Sequence, residues 1–230
     1  MINSADALRA NLREIHRRIE QACERVGRDP SGVRLVAAGK TVPVELLAWA
    51  VQAGARDIGE NYVKELLEKR RALMGVTWHY VGALQSHTAH RVAEGADVVH
   101  TLQPGRATAR LARRAVEGGR TISCLIQVDF TGERAGTPPE GLAAFADEAC
   151  ELDGIEVTGL MTLPPMPKVP EDARSYHRRL REMRDQLRER HPGIVELSSG
   201  MSLDYDLAVE EGATMVRIGT ALFGERAPAT

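Results

Sequence analysis

Lys40 closes the apolar run Val33-Arg34-Leu35-Val36-Ala37-Ala38-Gly39, which reads as a buried strand, and a Thr-Val-Pro turn follows it. The chain has four lysines (Lys40, Lys64, Lys69, Lys168) against 26 arginines. Lys64, Lys69 and Lys168 stand among polar neighbours, where a solvated ammonium explains them. A lysine at the end of a buried strand is partly withdrawn from water, which favours the free amine. A free amine attacks aldehydes and ketones to give a Schiff base. The plainer reading is a strand-end lysine that reaches past the apolar surface to water.

Two segments near the C-terminus could hold an anion. Ser198-Ser199-Gly200-Met201-Ser202 and Gly219-Thr220 are small, hydroxyl-bearing and glycine-containing. Their backbone N–H groups and hydroxyls can converge on a phosphate, although each alone is also an ordinary tight turn. Arg217 lies between Val216 and Ile218. A guanidinium in an apolar strand never loses its charge, so it must find a partner. That partner is either a carboxylate such as Glu60 or Glu196, or a ring atom or acid group of a ligand. Asp57, Glu60 and Asn61 are expected to add polar groups to the same place. His79 reads as a satisfied buried histidine, and Met161 as packing, against other side chains or a flat ligand face.

The elements that position these residues alternate along the whole chain. A helix over 4–26 carries Leu8, Leu12, Ile15, Ile19 and Val26 on a near-helical period. Strands are predicted over 33–39, 56–60, 77–82, 97–100, 122–128, 156–161, 194–198 and 214–218. Helices are predicted from Pro43 to Ala53, over 61–73, up to about 94, and over 104–117, 139–152, 171–190 and 203–211. Three joints echo each other: Ala53-Gly54-Ala55-Arg56-Asp57, Glu94-Gly95-Ala96-Asp97 and Glu211-Gly212-Ala213-Thr214. Each sets a glycine past a helix end and then starts a strand. Eight strands in 230 residues predict an α/β fold: a single (β/α)8 TIM barrel over residues 1–230, with an extra N-terminal helix. An open doubly wound sheet competes, but Gly39-Lys40-Thr41 lacks both the GxGxxG spacing and the full phosphate-loop pattern. In a barrel the ligand lies at the C-terminal ends of the strands, with phosphate at the loops after strands seven and eight. Lys40, Asn61, Met161, the 198–202 loop, Arg217 and Gly219-Thr220 all fall there.

Composition narrows the class. Net charge is -2 with acids and bases mixed, which argues against a nucleic-acid surface. No apolar run suits a signal peptide or a membrane span, and Cys23, Cys124 and Cys150 read as buried thiols of a reducing compartment. A cytoplasmic monomer is the expectation. The charged 171–190 helix reads as a solvated face.

A Schiff-base lysine, a phosphate cradle and an arginine suit a phosphorylated aldose or ketose, as in a lysine aldolase, or pyridoxal 5'-phosphate (PLP). Aldolase lysines commonly sit on a later strand. A lysine on strand one facing an arginine on strand eight suits PLP better.

Six segments carry a family resemblance: Leu35-Val36-Ala37-Ala38-Gly39-Lys40-Thr41, Gly59-Glu60-Asn61-Tyr62-Val63-Lys64-Glu65, Trp78-His79-Tyr80-Val81-Gly82, Gly159-Leu160-Met161, Leu197-Ser198-Ser199-Gly200-Met201-Ser202 and Val216-Arg217-Ile218-Gly219-Thr220-Ala221-Leu222-Phe223-Gly224. In this order they resemble the pyridoxal phosphate homeostasis protein family, similar in fold to the barrel domain of alanine racemase. The resemblance implies that Lys40 holds PLP as a Schiff base and that Ser198, Gly200, Met201, Gly219 and Thr220 surround the phosphate. It places Arg217 at the pyridine nitrogen, and Asn61 and Met161 along the ring. The implied role is intracellular PLP homeostasis, as a carrier or buffer without efficient catalysis. A PLP-dependent racemase-like enzyme is the alternative. The implied partners are PLP and, beyond it, PLP-dependent apoenzymes or free amino and keto acids. Two segments depart from the family pattern: Ser86-His87-Thr88, and Arg134 where a lysine is common. Tyr62, Tyr80 and Tyr205 are expected near the barrel mouth, none in a racemase-like motif.

Overall fold

The computed structural model describes residues 2–225. Eight parallel strands close into a barrel in sequence order, β1 (Arg34–Ala38), β2 (Asp57–Glu60), β3 (Thr77–Tyr80), β4 (Val98–Leu102), β5 (Ile122–Val128), β6 (Ile155–Thr162), β7 (Glu196–Ser198) and β8 (Met215–Ile218). Closure is made by β8 against β1, with Val36 opposite Arg217 and Ala37 opposite Ile218. The helices α1 (Ala5–Arg25), α2 (Val44–Gln52), α3 (Val63–Ala72), α4 (Ala89–Gly95), α5 (Arg106–Glu117), α6 (Leu142–Cys150), α7 (Arg174–Arg188), α8 (Tyr205–Glu210) and α9 (Thr220–Phe223) cover the sheet.

The extra helix begins where its sequence says. Ser4 is extended and its hydroxyl accepts from the Ala7 N–H at 3.2 Å, a serine N-cap. Leu8, Leu12, Ile15 and Ile19 then bury one stripe of α1 against α2, α8 and α9. Each such side chain is worth about 2 kcal/mol of apolar burial.

Sequence and structure part at several element ends. The helix expected up to 94 starts only at Ala89, because 86–88 form a turn. Residues 194 and 195 precede β7 rather than open it, and a short helix α9 follows β8. Cys150 is exposed rather than buried, at the solvent end of α6. The helix expected as a solvated face is partly a clamp: Arg174, Arg178 and Arg181 of α7 all reach Glu211 behind α8. No helix among the described residues is long and apolar enough to cross a membrane.

The large apolar core lies between the sheet and the helices, around Ile58, Leu66, Leu111, Ile126 and Leu197. The barrel interior is different. Val36, Val98, Leu125, Met161 and Met215 form a small apolar cluster there. Beside it runs a buried polar set: His79, His100, Ser198 and Arg217. Inward positions are usually filled by branched apolar side chains, so this polar set calls for a reason.

Candidate functional site

A cavity of about 450 Å³ opens at the C-terminal ends of the strands. Its lining brings together seven of the nine predicted residues: Lys40, Asn61, Met161, Met201, Arg217, Gly219 and Thr220. Ser198 and Gly200 are not on the lining; both are buried behind it. Gly200 holds the β7 loop to the β8 strand through its carbonyl, which accepts from the Arg217 N–H at 3.0 Å. Leu163, Met166 and Leu203 supply an apolar outer edge.

Lys40 is half-buried, and its amine has no hydrogen bond or ion pair to other described residues. Its backbone is held from below. The Lys69 ammonium donates to the Gly39 carbonyl at 2.8 Å, to Glu60 Oε1 at 2.8 Å and to Glu65 Oε2 at 2.6 Å. Glu65 Oε2 also accepts from the Thr41 N–H at 3.0 Å. Thr41 has φ 59, a left-handed backbone that a β-branched residue rarely adopts. The strained turn directly after Lys40 therefore persists because two carboxylates and a buried lysine surround it.

This corrects two sequence-based expectations. Lys69 is not a solvated lysine but is 8% exposed. Glu60 does not face the cavity. It turns outward from the barrel towards α3, because strand residues alternate and Asp57 and Gly59 take the inward positions. Burial pushes the Glu60 carboxyl up to about 7, against the pull of Lys69. Its second oxygen has no hydrogen-bond partner among the described residues.

Arg217 is also not in the carboxylate pair that one reading foresaw. One guanidinium nitrogen donates to the Ser198 hydroxyl and another to the Thr162 carbonyl at 2.8 Å. Burial lowers its pKa to about 10, so it remains a cation at neutral pH. None of the three expected tyrosines is among the described lining residues: Tyr205 is buried under Arg18 of α1, the Tyr80 hydroxyl donates to the Ala83 carbonyl, and Tyr62, next to Asn61, is exposed at the start of α3.

The loop after β7 is built by residues that sequence reasoning passed over. Asp204 Oδ1 accepts from the Met201 N–H at 2.7 Å. His177 of α7 bridges Ser199 Oγ at 2.5 Å and Asp204 Oδ2 at 3.2 Å. Burial works against the Asp204 carboxylate, yet the bonds from His177 and Met201 and the nearby Arg217 hold it below its usual range. The Ser202 hydroxyl accepts from the Ala221 N–H at 3.2 Å and so ties this loop to the one after β8. Gly219 and Thr220 open α9, where first-turn N–H groups have no intrahelical acceptor. We expect His177→Leu to cost about 2 kcal/mol in chemical denaturation, since Asp204 and Ser199 each lose a buried partner. A change under about 0.5 kcal/mol would mean that the loop does not depend on this bridge.

Sequence signals for the missed residues exist. Glu65 and Lys69 are an i,i+4 pair in helical order. His100 shares a strand face with Val98, two residues away.

Comparison with known proteins agrees with this geometry. Residues 4–227 match the family described as alanine racemase, N-terminal domain. A pyridoxal phosphate homeostasis protein of Aquifex aeolicus is 40% identical over 220 residues, covering 94% of this chain and 96% of the relative. That of Escherichia coli K12 is 36% identical over 229 residues, covering 94% and 95%. The solved structure of PipY from Synechococcus elongatus, with PLP bound, superposes with a TM-score of 0.80 at 33% identity, covering 90% of this chain and 100% of that one. A cavity built on Lys40 and Arg217, in a barrel matched end to end by these relatives, places the chain in the alanine racemase N-terminal domain family and, within it, among the pyridoxal phosphate homeostasis proteins.

Proposed function

We propose that this protein binds PLP at the Lys40 cavity and serves PLP homeostasis as a carrier or buffer, without efficient catalysis of its own. The observation that carries the reading is the Lys40 amine, unpartnered among the described residues, on one side of a cavity of about 450 Å³ that also presents the buried Arg217 cation. The residues fit the group. PLP supplies an aldehyde for a lysine amine, a phosphate for backbone N–H and hydroxyl donors, and a flat ring. Lys40 offers the amine. The backbone of Ser202, Gly219 and Thr220 offers the phosphate donors, Met201 packs beside them with its own N–H held by Asp204, and Ser198 and Gly200 support that backbone from behind. Arg217 offers a cation to the ring nitrogen, and Asn61 and Met161 line the ring.

Two features favour a carrier over an enzyme. An arginine at the ring nitrogen disfavours its protonation and so weakens the ring as an electron sink. No tyrosine is among the described residues that line the cavity, so the described lining offers no phenol to move a substrate proton. The homeostasis naming of the curated relatives supports the carrier reading, and the PLP-bound solved relative supports the cofactor.

The test is the visible absorbance spectrum of the purified protein before and after PLP addition, beside Lys40→Ala. A new visible band, fixed on the Lys40 peptide by borohydride and absent in the variant, is the expected result. No band, or fixation on another lysine, would overturn the reading. Exchange of an amino-acid α-proton well above the rate with free PLP would move the protein to the racemase-like enzymes.

A further inference from the structure

The barrel interior holds a chain of hydrogen bonds that the cavity chemistry does not by itself require. Arg217 donates to Ser198 Oγ. Ser198 Oγ lies 2.9 Å from His100 Nδ1. His100 Nε2 lies 2.8 Å from His79 Nδ1, and His79 Nε2 lies 2.8 Å from Asp57 Oδ1. His79, His100 and Ser198 are fully buried, while the Asp57 side chain is 13% exposed at the start of β2. The chain thus spans the barrel from the cavity to the opposite end.

Its two ends fix its direction. A guanidinium only donates and a carboxylate only accepts. With neutral histidines there is one consistent arrangement. Arg217 donates to Ser198, Ser198 to His100 Nδ1, His100 Nε2–H to His79 Nδ1, and His79 Nε2–H to Asp57. Each linking group then uses one donor and one acceptor. Reversing the order needs an additional proton, either on His79 or on Asp57. The charges facing the chain are Arg217 on β8, Asp57 on β2, the Arg34–Glu196 pair across β1 and β7, and Asp204 beyond Arg217. Burial, His79, Arg217 and Arg34 hold His100 well below its usual range, so it stays neutral.

We propose that Ser198, His100, His79 and Asp57 are positioning residues for Arg217, a hydrogen-bond chain of single polarity that aims the guanidinium at the cavity and links it to the Asp57 carboxylate. Among the described residues Arg217 has no direct carboxylate partner, so the chain, together with the Thr162 carbonyl, is how a buried cation is oriented without an ion pair that would compete with a ligand. The proposal deepens the PLP reading and rests on it in one respect, that Arg217 meets the bound ring.

The test has two arms. In the ligand-free protein, ¹⁵N NMR of labelled histidine is expected to show His79 and His100 both as neutral Nε2–H tautomers. An Nδ1–H tautomer at either one, or a doubly protonated ring at neutral pH, overturns the proposal. In the second arm, Asp57→Asn keeps the shape but lets the amide donate to His79 Nε2, which permits the reversed chain. Both histidines are expected to shift towards Nδ1–H, and PLP affinity to fall about tenfold, the scale of lost outer-shell partners. Unchanged tautomers together with unchanged affinity would overturn the proposal as well. Failure of the wild type to take up PLP would sink the proposed function instead, and the first arm would still decide the chain.

Discussion

Lys69→Met is expected to destabilise the protein by about 3–5 kcal/mol at pH 8.5, the usual cost of removing one partner from a buried ion pair, and by much less at pH 6. The reason lies in Glu60. Its carboxyl is fully buried, with one oxygen on Lys69 and the other without a partner. Its folded pKa is raised to about 7 from an ordinary 4.5. Between those values the folded chain holds a proton that the unfolded chain has released. This group therefore favours folding at low pH, and the contribution is lost as pH rises through about 7. In the wild type the Lys69 ammonium limits that loss. Without it, the carboxylate at pH 8.5 has no counter-charge in the interior. At pH 6 Glu60 is mostly protonated, so the losses are its hydrogen bond from Lys69, the bond to the Gly39 carbonyl and the part-buried ion pair with Glu65, with no buried carboxylate left bare at Glu60. Urea denaturation at the two pH values reads the difference directly. Equal losses at both would mean that Lys69 is not what compensates Glu60. The same substitution removes the donor to the Gly39 carbonyl and unlocks Glu65 from Thr41, so PLP retention is expected to weaken even at pH 6.

Much of this was legible in the sequence, for physical reasons. The barrel could be read because helix ends carry their own local punctuation, such as Gly54 and Gly212, both at positive φ before a strand, whereas Gly95 of the third echoing joint is the last residue of α4 and has no positive φ. The cavity could be read because a barrel puts strand ends on one rim, so Lys40 and Arg217 needed only their strand numbers to be placed together. What escaped depends on direction rather than on position. Glu60 was read as facing the cavity because it ends β2, but period-two alternation from Asp57 sends it outward, where it captures Lys69. Lys69 was read as solvated because its sequence neighbours are polar, and its burial comes from packing of α3 over the β1 turn. The His79–His100 contact joins residues 21 apart on adjacent strands, and the bond from His100 to Ser198 crosses the barrel between β4 and β7. A one-dimensional reading has no term for a cross-barrel contact. Cys150 was misjudged because a thiol's preference for burial is a tendency, and α6 ends at the surface.

Gly200→Ala is expected to cost about 3 kcal/mol and to weaken PLP binding, because two separate penalties fall on one residue. Gly200 has φ +90, which an L side chain rarely adopts. A Cβ there would also sit 2.6 Å from the Ala208 Cβ and 2.9 Å from the Tyr205 Cα. Neither neighbour is a flexible tip, so α8 or the loop itself must shift. Gly27→Ala separates the two effects. Gly27 also has positive φ, at +66, but nothing lies within 4 Å of its virtual Cβ, so only the backbone strain of about 1 kcal/mol applies. The excess of Gly200→Ala over Gly27→Ala in denaturation therefore measures the close approach of the β7 loop to α8. That approach matters beyond stability. The Gly200 carbonyl accepts from the Arg217 N–H, and Met201 and Ser202 follow directly on the cavity wall. Displacing Gly200 moves the backbone of the anion cradle and of the guanidinium strand together. Equal costs for the two substitutions, with PLP binding intact, would mean that the loop can yield without disturbing the site. A large cost confined to Gly200, with weakened PLP binding, would establish that the packing of α8 sets the geometry of the cradle.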